Sequence, residues 1–370
     1  MAGRRPRVVA CCHTVGVKWP LYLPLVCAAV LLLASTVPAG PVLLLGCGAA
    51  LVAAVVGAVH HAEVIAHRTG EPLGTIVLAL AVTVIEAALV ISIMLAGGEQ
   101  GAAVARDTVF AAVMIICNGV VGLCLLLGGL RHREQSYRIE GTGSGLAALA
   151  TLATLVLVAP TLTTSAPAGA YTHSQLLFAA LSSLVLWLLF VFIQTVRHRD
   201  YFLPAETSGA ESGQVAPPGA RAAWASGALL LVSLVGVIGL AKLLSPALER
   251  AVDELEAPRA IVGILIAMVV LAPETVAAVR AARSDRLQTS LNLAVGSAMA
   301  SIGLTIPVVA AAAVIWRLPL TLGIGAMDMA LLALTFVVGS ITLASGRTNI
   351  LQGAIHLVIF AAFLILTLVP

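Results

Sequence analysis

Residues 74–95 read GTIVLALAVTVIEAALVISIML, and residues 263–280 read GILIAMVVLAPETVAAVR. Each stretch is apolar and holds a single carboxylate, Glu86 in the first and Glu274 in the second. Each begins with a glycine, Gly74 or Gly263, which lies about half the length of a membrane span before that carboxylate. Each is also followed by a further apolar span that is rich in small residues and contains polar side chains. The two stretches therefore predict related membrane helices that arose by internal duplication.

The composition of the whole chain indicates an integral membrane protein. Of 370 residues, 60% are apolar and only 10% are charged, against about a quarter charged in soluble domains. Aromatic residues make up 4% of the chain and its net charge is +3, so no nucleic-acid partner is expected. The high apolar fraction predicts that membrane lipid surrounds the chain. Long uncharged runs predict helices, since a backbone in lipid must satisfy its own hydrogen bonds. Eleven runs have the length of a span, at 20–37, 41–59, 73–96, 107–130, 145–165, 174–196, 222–244, 259–280, 288–316, 319–344 and 349–369.

The basic residues predict the topology. Cytoplasmic loops hold most Lys and Arg. An N-terminus in the cytoplasm places fifteen of the twenty basic residues on that side and leaves five on or near the other: Arg106, Lys242, Arg250, Arg259 and Arg317. We therefore expect a multi-pass protein of the cell membrane with its N-terminus cytoplasmic and its C-terminus outside. Arg4, Arg5 and Arg7 before the first apolar run also fit a signal peptide, which is the alternative for this segment.

The order of the spans predicts two repeats. Residues 1–38 form an N-terminal segment with one extra helix, 41–196 a first unit of five helices, and 222–370 a second unit of five. Between them, 197–221 is a cytoplasmic linker rich in Pro, Ser and Gly. Because five is odd, the second unit enters the membrane from the opposite side. Such inverted repeats form transport sites near the bilayer midplane.

The paired carboxylates predict a cation site. A carboxylate inside a span costs about 2.5 kcal/mol or more on insertion scales, and two at matching positions point to a shared ligand. Calcium takes about six to eight oxygens, and nearby polar residues supply candidates: Thr83, Asn118, Asn292, Ser297 and Ser301. Pro273, directly before Glu274, is expected to loosen the helix and free carbonyl ligands. The alternative is that each Glu is protonated and bonded to a neighbouring helix.

Exchange follows from competition at one site. Two carboxylates in a dry site repel each other, so protons neutralise them when no cation is bound and must leave when one binds.

Three more residues are candidates for access or gating. Asp328 lies in the tenth span, where the alternative is a structural ion pair. Glu63 and His67 share a helical face near the second span, where the alternative is a solvated interface cluster.

Five motifs carry a resemblance to a known family. They are HAEVIAHRTGEPLGTIVLALAVTVIEAALV (61–90), RDTVFAAVMIICNGVVGL (106–123), RHREQSYR (131–138), HRDYF (198–202) and LAPETVAAVRAARSDRLQTSLNLAVGSAMASIGLTIP (271–307). The chain resembles the calcium/proton antiporters of the calcium:cation antiporter superfamily, most closely its bacterial ChaA-type branch. The resemblance implies one extra helix plus two inverted five-helix repeats, with helices 2 and 7 sliding over a fixed core. It also implies that Glu86 and Glu274 bind the ion.

The motifs also depart from that family. The GNxxE signature of many relatives is replaced by TVIE (83–86) and LAPE (271–274), and the ChaA-type branch is associated with exchange of sodium or potassium for protons. We therefore expect a secondary active cation/proton antiporter, without a cofactor, that exports calcium, with sodium or potassium as the alternative cation. A passive channel is less favoured, because oligomerisation would build rings of acids there, whereas this chain has two non-equivalent carboxylates. An intramembrane metalloenzyme is less favoured, because the sequence offers no His/Asp or Ser/Lys constellation at membrane depth.

Overall fold

The fold of the protein is entirely helical in the part of the chain that a computed structural model describes, residues 19–37, 40–69, 73–203 and 218–369. One isolated antiparallel bridge, between Ser136 and Arg347, is the nearest approach to a strand in those ranges. The helices are α1 (Trp19–Thr36), α2 (Pro41–Thr69), α3 (Leu73–Gly97), α4 (Gly101–His132), α5 (Ile139–Leu162), α6 (His173–Arg197), α7 (Ala220–Glu254), α8 (Ala260–Arg283), α9 (Leu287–Trp316), α10 (Ala326–Ala344) and α11 (Ile350–Leu368).

The helices match the predicted spans in number and order. Ten of the described helices are long and apolar enough to cross a membrane, and the first predicted span coincides with the shorter helix α1. The prediction of an all-α, multi-pass membrane protein is therefore confirmed. The division into domains at 38, 196 and 222 stays a prediction.

Two helices extend well beyond their apolar runs. α2 has 29 residues and α7 has 35, which at about 1.5 Å per residue gives lengths of about 44 and 52 Å. Both exceed the roughly 30 Å hydrocarbon core, so each must tilt or project from the bilayer. Ala and Glu, which are good helix formers, continue each helix past its apolar part.

The tenth helix begins later than predicted. The apolar run was expected to be helical from residue 319, but α10 starts at Ala326. The preceding segment is extended, and its main-chain N–H groups donate to other elements: Thr321 to Ala102, Leu322 to Gly169 and Ile324 to Leu157, all at 2.9 Å. Pro319 and the following glycines disfavour a helix here, and these external bonds replace the helical ones.

α8 is a continuous helix through Pro273, so the expected loosening there does not break the helix. A proline removes one N–H donor, and the flanking bonds are enough to carry the helix past it. The irregular turns lie elsewhere. α4 contains a π-helical turn at Ile115–Val120, and α9 is interrupted at Leu304, between Gly303 and Thr305. Both lie in central helices, and π-turns are frequent at functional sites.

The helices pack around two apolar clusters. One cluster centres on α4, which is almost wholly buried, and includes the inner faces of α5, α8, α9 and α11. The second joins α1, α2, α3 and α7. The contacts between α2 and α7 and between α4 and α8 are the most extensive of the described helix pairs. α1 crosses both of them, with Leu23 facing Gly57 and Leu31 facing Gly239. Large apolar side chains that remain exposed, such as Leu45 and Trp224, face lipid.

Candidate functional site

A cavity of about 390 Å³ lies inside the bundle, and both Glu86 and Glu274 line it. Its walls come from α3, α8 and α9, together with the last turns of α6 and the segment that follows α6. The two carboxylates come from helices far apart in sequence, so the packing of α3 against α8 and α9 brings them to one space.

Glu86 lies near the middle of α3 and is only 4% exposed. The Ser301 hydroxyl donates a hydrogen bond to Glu86 Oε1 at 2.5 Å. Ser301 itself lies at the middle of α9, directly before the interruption at Leu304. Because a hydrogen bond to a carboxylate is stronger than one between neutral groups, Ser301 favours the ionised form of Glu86. Thr305, one turn further on, is buried and also lies beside Glu86.

Glu274 is half-buried on α8, on the wall of the same cavity. Its Oε2 atom is inaccessible and has no hydrogen-bond partner among the described residues. A buried carboxylate oxygen without a partner is costly, and native proteins satisfy such atoms with a proton, water or ligand. This oxygen is therefore open to a proton, a water molecule or a ligand.

Four of the five predicted supporting residues line the cavity, namely Thr83, Asn292, Ser297 and Ser301. Thr83 stands one turn before Glu86 on α3 and is buried. The Asn292 amide is already engaged at both of its ends. Its Oδ1 accepts from Gln288 Nε2 at 2.9 Å, and its Nδ2 donates to the Phe202 carbonyl at 2.6 Å. Asn292 thus holds protein partners in this structure.

Asn118 is placed elsewhere, in a buried network behind the cavity. Its Nδ2 donates to Thr335 Oγ1 at 2.9 Å, and its Oδ1 lies 3.2 Å from His356 Nδ1. His356 Nε2 lies 3.2 Å from Thr342 Oγ1. A neutral imidazole protonated on Nδ1 satisfies both contacts, with Thr342 donating to Nε2. The network therefore braces the π-helical turn of α4 in which Asn118 lies.

The three residues predicted for access or gating lie outside this cavity. Asp328 lines a separate cavity of about 270 Å³ at the start of α10, together with Asp107. Asp107 is paired with Arg106, whose Nε lies 2.7 Å from Asp107 Oδ1. Glu63 and His67 are exposed on the far half of α2. In this conformation the structure joins none of the three to Glu86.

Several wall residues of the cavity were missed by the sequence analysis. Gln194, Phe202 and Leu203 line the end of the cavity near the linker, and Gln288 orients Asn292. The motif HRDYF, directly after the sixth span, was the available signal for Phe202. Within the described ranges, no three His, Cys, Asp or Glu side chains form a metal cluster. A cation in this cavity would therefore meet two carboxylates and hydroxyl oxygens, which are donors suited to hard cations.

Comparison with known sequences gives one family match, described as "Sodium/calcium exchanger protein", over residues 39–196 and 225–369. A Sinorhizobium fredii protein whose name calls it an ionic transporter, y4hA, is 50% identical over 95% of this chain and 96% of its own. The sodium-potassium/proton antiporter ChaA of Escherichia coli is 36% identical over 83% of each chain. The Ca²⁺/H⁺ antiporter of Aphanothece halophytica is 25% identical over 72% of this chain and 76% of its own.

A solved structure shares the fold. The structure of native YfkE superposes with a TM-score of 0.71 over 95% of this chain and 100% of that chain, at 18% sequence identity.

Proposed function

Because the chain belongs to the sodium/calcium exchanger protein family, we propose that it exports calcium in exchange for protons, by alternating access at a site formed by Glu86 and Glu274. A cation antiporter is a transporter and not an enzyme. The observation that carries the finer proposal is that both glutamates line one cavity, although they lie in different halves of the chain.

Competition at that cavity explains the coupling. One carboxylate is nearly wholly buried and the other has a buried oxygen without a partner. Burying two uncompensated negative charges is too costly, so the site is occupied either by protons or by a cation. A bound cation displaces the protons, and its departure lets them return. Since the two ligands exclude each other, their movements in opposite directions are coupled.

The proposal assigns the movement to α2 and α7. α7 is the longest described helix, α2 packs along it, and α1 lies across both. In the proposal they begin the two inverted repeats, 41–196 and 222–370, and slide over the core that holds Glu86 and Glu274. The bias of basic residues supports a cytoplasmic N-terminus and an outer C-terminus.

Charge balance favours calcium. Two carboxylates match the charge of one divalent ion, and the oxygen donors of Thr83, Ser297 and Ser301 suit a hard cation. The name of the 25% identical relative gives the same exchange. The second candidate is exchange of sodium or potassium for protons at the same site, which is favoured by the name of the 36% identical relative.

Transport in proteoliposomes with an imposed pH gradient tests the proposal. We expect Glu86→Gln and Glu274→Gln each to abolish calcium exchange, since each removes one charge from the cavity. Glu140→Gln is the matched control, because Glu140 is exposed on the first turn of α5. If either cavity variant exchanges calcium at the wild-type rate, the site is wrong. If calcium moves independently of the gradient, antiport is wrong.

The same vesicles decide between the two candidate cations. Calcium, sodium and potassium are supplied in turn at equal charge, and proton movement is followed with a pH-sensitive dye inside the vesicle. Calcium-driven proton movement at low concentrations supports calcium export. Proton movement driven by sodium or potassium, and not by calcium, replaces the first candidate with the second.

A further inference from the structure

The motif RHREQSYR (131–138), which the proposed mechanism leaves unused, forms a hub between loops. Main-chain bonds join it to the loop before α11: Thr348 N donates to Gln135 O at 3.1 Å, and Tyr137 N donates to Gly346 O at 3.0 Å. The Gln135 side chain reaches the loop after α8 and donates to Asp285 Oδ1 at 2.8 Å. The loops after α4, α8 and α10 are thus tied together on one face of the bundle.

A chain of amide groups leads from this hub to the cavity. The Arg138 main-chain N–H donates to Gln288 Oε1 at 2.7 Å, and Gln288 Nε2 donates to Asn292 Oδ1 at 2.9 Å. Asn292 Nδ2 then donates to the Phe202 carbonyl at 2.6 Å. Gln288 and Asn292 are one turn apart on α9, so their side chains share a face. With both ends of each amide engaged, this relay (Arg138, Gln288, Asn292) holds the HRDYF segment in one position.

The end of the relay is an aromatic wall. Phe202 is buried, and its ring meets the Phe190 ring edge-on, with centroids 5.9 Å apart and planes at 86°. Directly before Phe202, His198 and Tyr201 stack with ring centroids 4.7 Å apart. Phe190 and Phe202 both line the cavity that holds the carboxylates.

The position of Phe202 along the cavity gives it a role. Glu86 and Ser301 lie at the middle of their helices, and therefore at the deep end of the cavity. Thr289 and Gln194 line the cavity near the ends of their helices, on the side of the linker, and Phe202 lines it with them. We propose that Phe202 gates the linker-side mouth of this cavity and that Gln288 and Asn292 are positioning residues that hold it there. The inference rests on the proposed function only in taking the cavity as the cation site.

The role assigned to Asn292 differs from that of a ligand. Both of its polar atoms bond to protein groups, so it acts on the cation through the placement of Phe202. Replacing Gln288 should therefore have the same effect as replacing Asn292, although Gln288 itself does not line the cavity. A direct ligand role predicts no such equivalence.

The rate at which a thiol reagent reaches the cavity tests the gate. Ser297 is half-buried on the cavity wall, so Ser297→Cys reports access to it. A charged methanethiosulfonate is added to purified protein in detergent, and labelling is followed by mass spectrometry. The protein with Ser297→Cys as its single change is the parent for all comparisons. The protein that retains Ser297 is run alongside to subtract labelling of native cysteines. Combined with this reporter, Gln288→Met and Asn292→Leu should each raise the labelling rate about fivefold or more, the shift that loss of one hydrogen bond gives. Phe202→Ala removes the ring itself and should raise the labelling rate at least as much.

Controls separate the gate from general loosening. Phe202→Trp keeps an aromatic ring at the mouth and should label at the parent rate. Phe192→Ala is matched in chemistry, but Phe192 is exposed on the outer side of α6, and it should also leave the rate unchanged. Each variant is first checked for a monodisperse size-exclusion peak. Gln288→Met retains Phe202 itself, so it tests the positioning role even if Phe202→Ala does not fold.

Two outcomes would overturn the gate. One is a parent labelling rate in both Phe202→Ala and Gln288→Met. The other is impaired cation exchange in Asn292→Leu with labelling at the parent rate, which would make Asn292 a ligand. The labelling assay needs no transport. If Glu86→Gln and Glu274→Gln keep wild-type exchange while Phe202→Ala labels faster, the proposed function fails and the gate stands.

Discussion

The hydrogen bond between Ser301 and Glu86 is the contact from which a sharp prediction can be made. Ser301 Oγ donates to Glu86 Oε1 at 2.5 Å, and both residues are buried, at 3% and 4% exposure. In Ser301→Ala this donor is lost, and Thr305 remains as the hydroxyl beside Glu86. The ionised form of Glu86 loses stabilisation, whereas its protonated form loses less.

The size of the effect follows from the charge on the acceptor. A hydrogen bond to a charged group contributes about 1.5–3 kcal/mol, and about 1.4 kcal/mol corresponds to a tenfold change in an equilibrium constant. In the proposed mechanism the cation binds to the ionised carboxylate, so we expect the apparent KM for the cation to rise about tenfold or more near neutral pH. The difference should shrink at alkaline pH, where protons compete less for the site.

Initial rates in proteoliposomes over a range of cation concentrations and pH values measure this effect. Ser301→Thr keeps the hydroxyl and should restore most of the affinity. Ser144→Ala is the matched control, since Ser144 Oγ donates to the main chain of its own helix and does not line the cavity. An unchanged KM in Ser301→Ala, or a defect that grows as pH rises, would refute the reasoning.

Three further predictions concern stability, measured by thermal unfolding in detergent. Gly263→Val should lower the stability by about 1–3 kcal/mol, because a Cβ there would lie 2.6 Å from the main chain of α4; Gly227→Val, with open space around it, should not. His356→Leu should cost about 1–3 kcal/mol by leaving Asn118 Oδ1 buried without its donor, and an unchanged melting temperature would contradict this. Burial raises the pKa of Tyr137 above its usual value of about 10, because desolvation disfavours the phenolate. The stabilisation from neutral Tyr137 is therefore present below about pH 10 and lost as pH rises through the folded-state pKa, and Tyr137→Phe should flatten that alkaline loss.

The membrane helices were predictable because lipid imposes a local rule. A span must be apolar and must satisfy its own backbone hydrogen bonds, so composition along the chain is enough to locate it. The rule failed at residues 319–325, where an apolar segment bonds to other elements and is extended. It also gave no sign that α2 and α7 extend past their apolar runs, since polar residues can continue a helix outside the hydrocarbon core.

The candidate site was predictable only in part. A carboxylate inside an apolar span stands out by its cost, so Glu86 and Glu274 were evident from the sequence. The hydrogen-bond partners of the two asparagine amides were not evident from the sequence. Asn118 and Asn292 looked like equivalent ligands, yet the first bonds to His356 and Thr335 and the second to Gln288 and Phe202.

By itself, the sequence determined that this chain crosses the membrane many times as helices and carries two isolated acids within them, because both features depend on hydrophobicity along the chain. Only the tertiary structure decided that Ser301 donates to Glu86, that Glu274 shares the same cavity and that Phe202 lies at its mouth. Those contacts depend on how each helix is rotated and tilted against its neighbours. Rotation and tilt are set by side-chain packing between distant segments, which hydropathy does not specify.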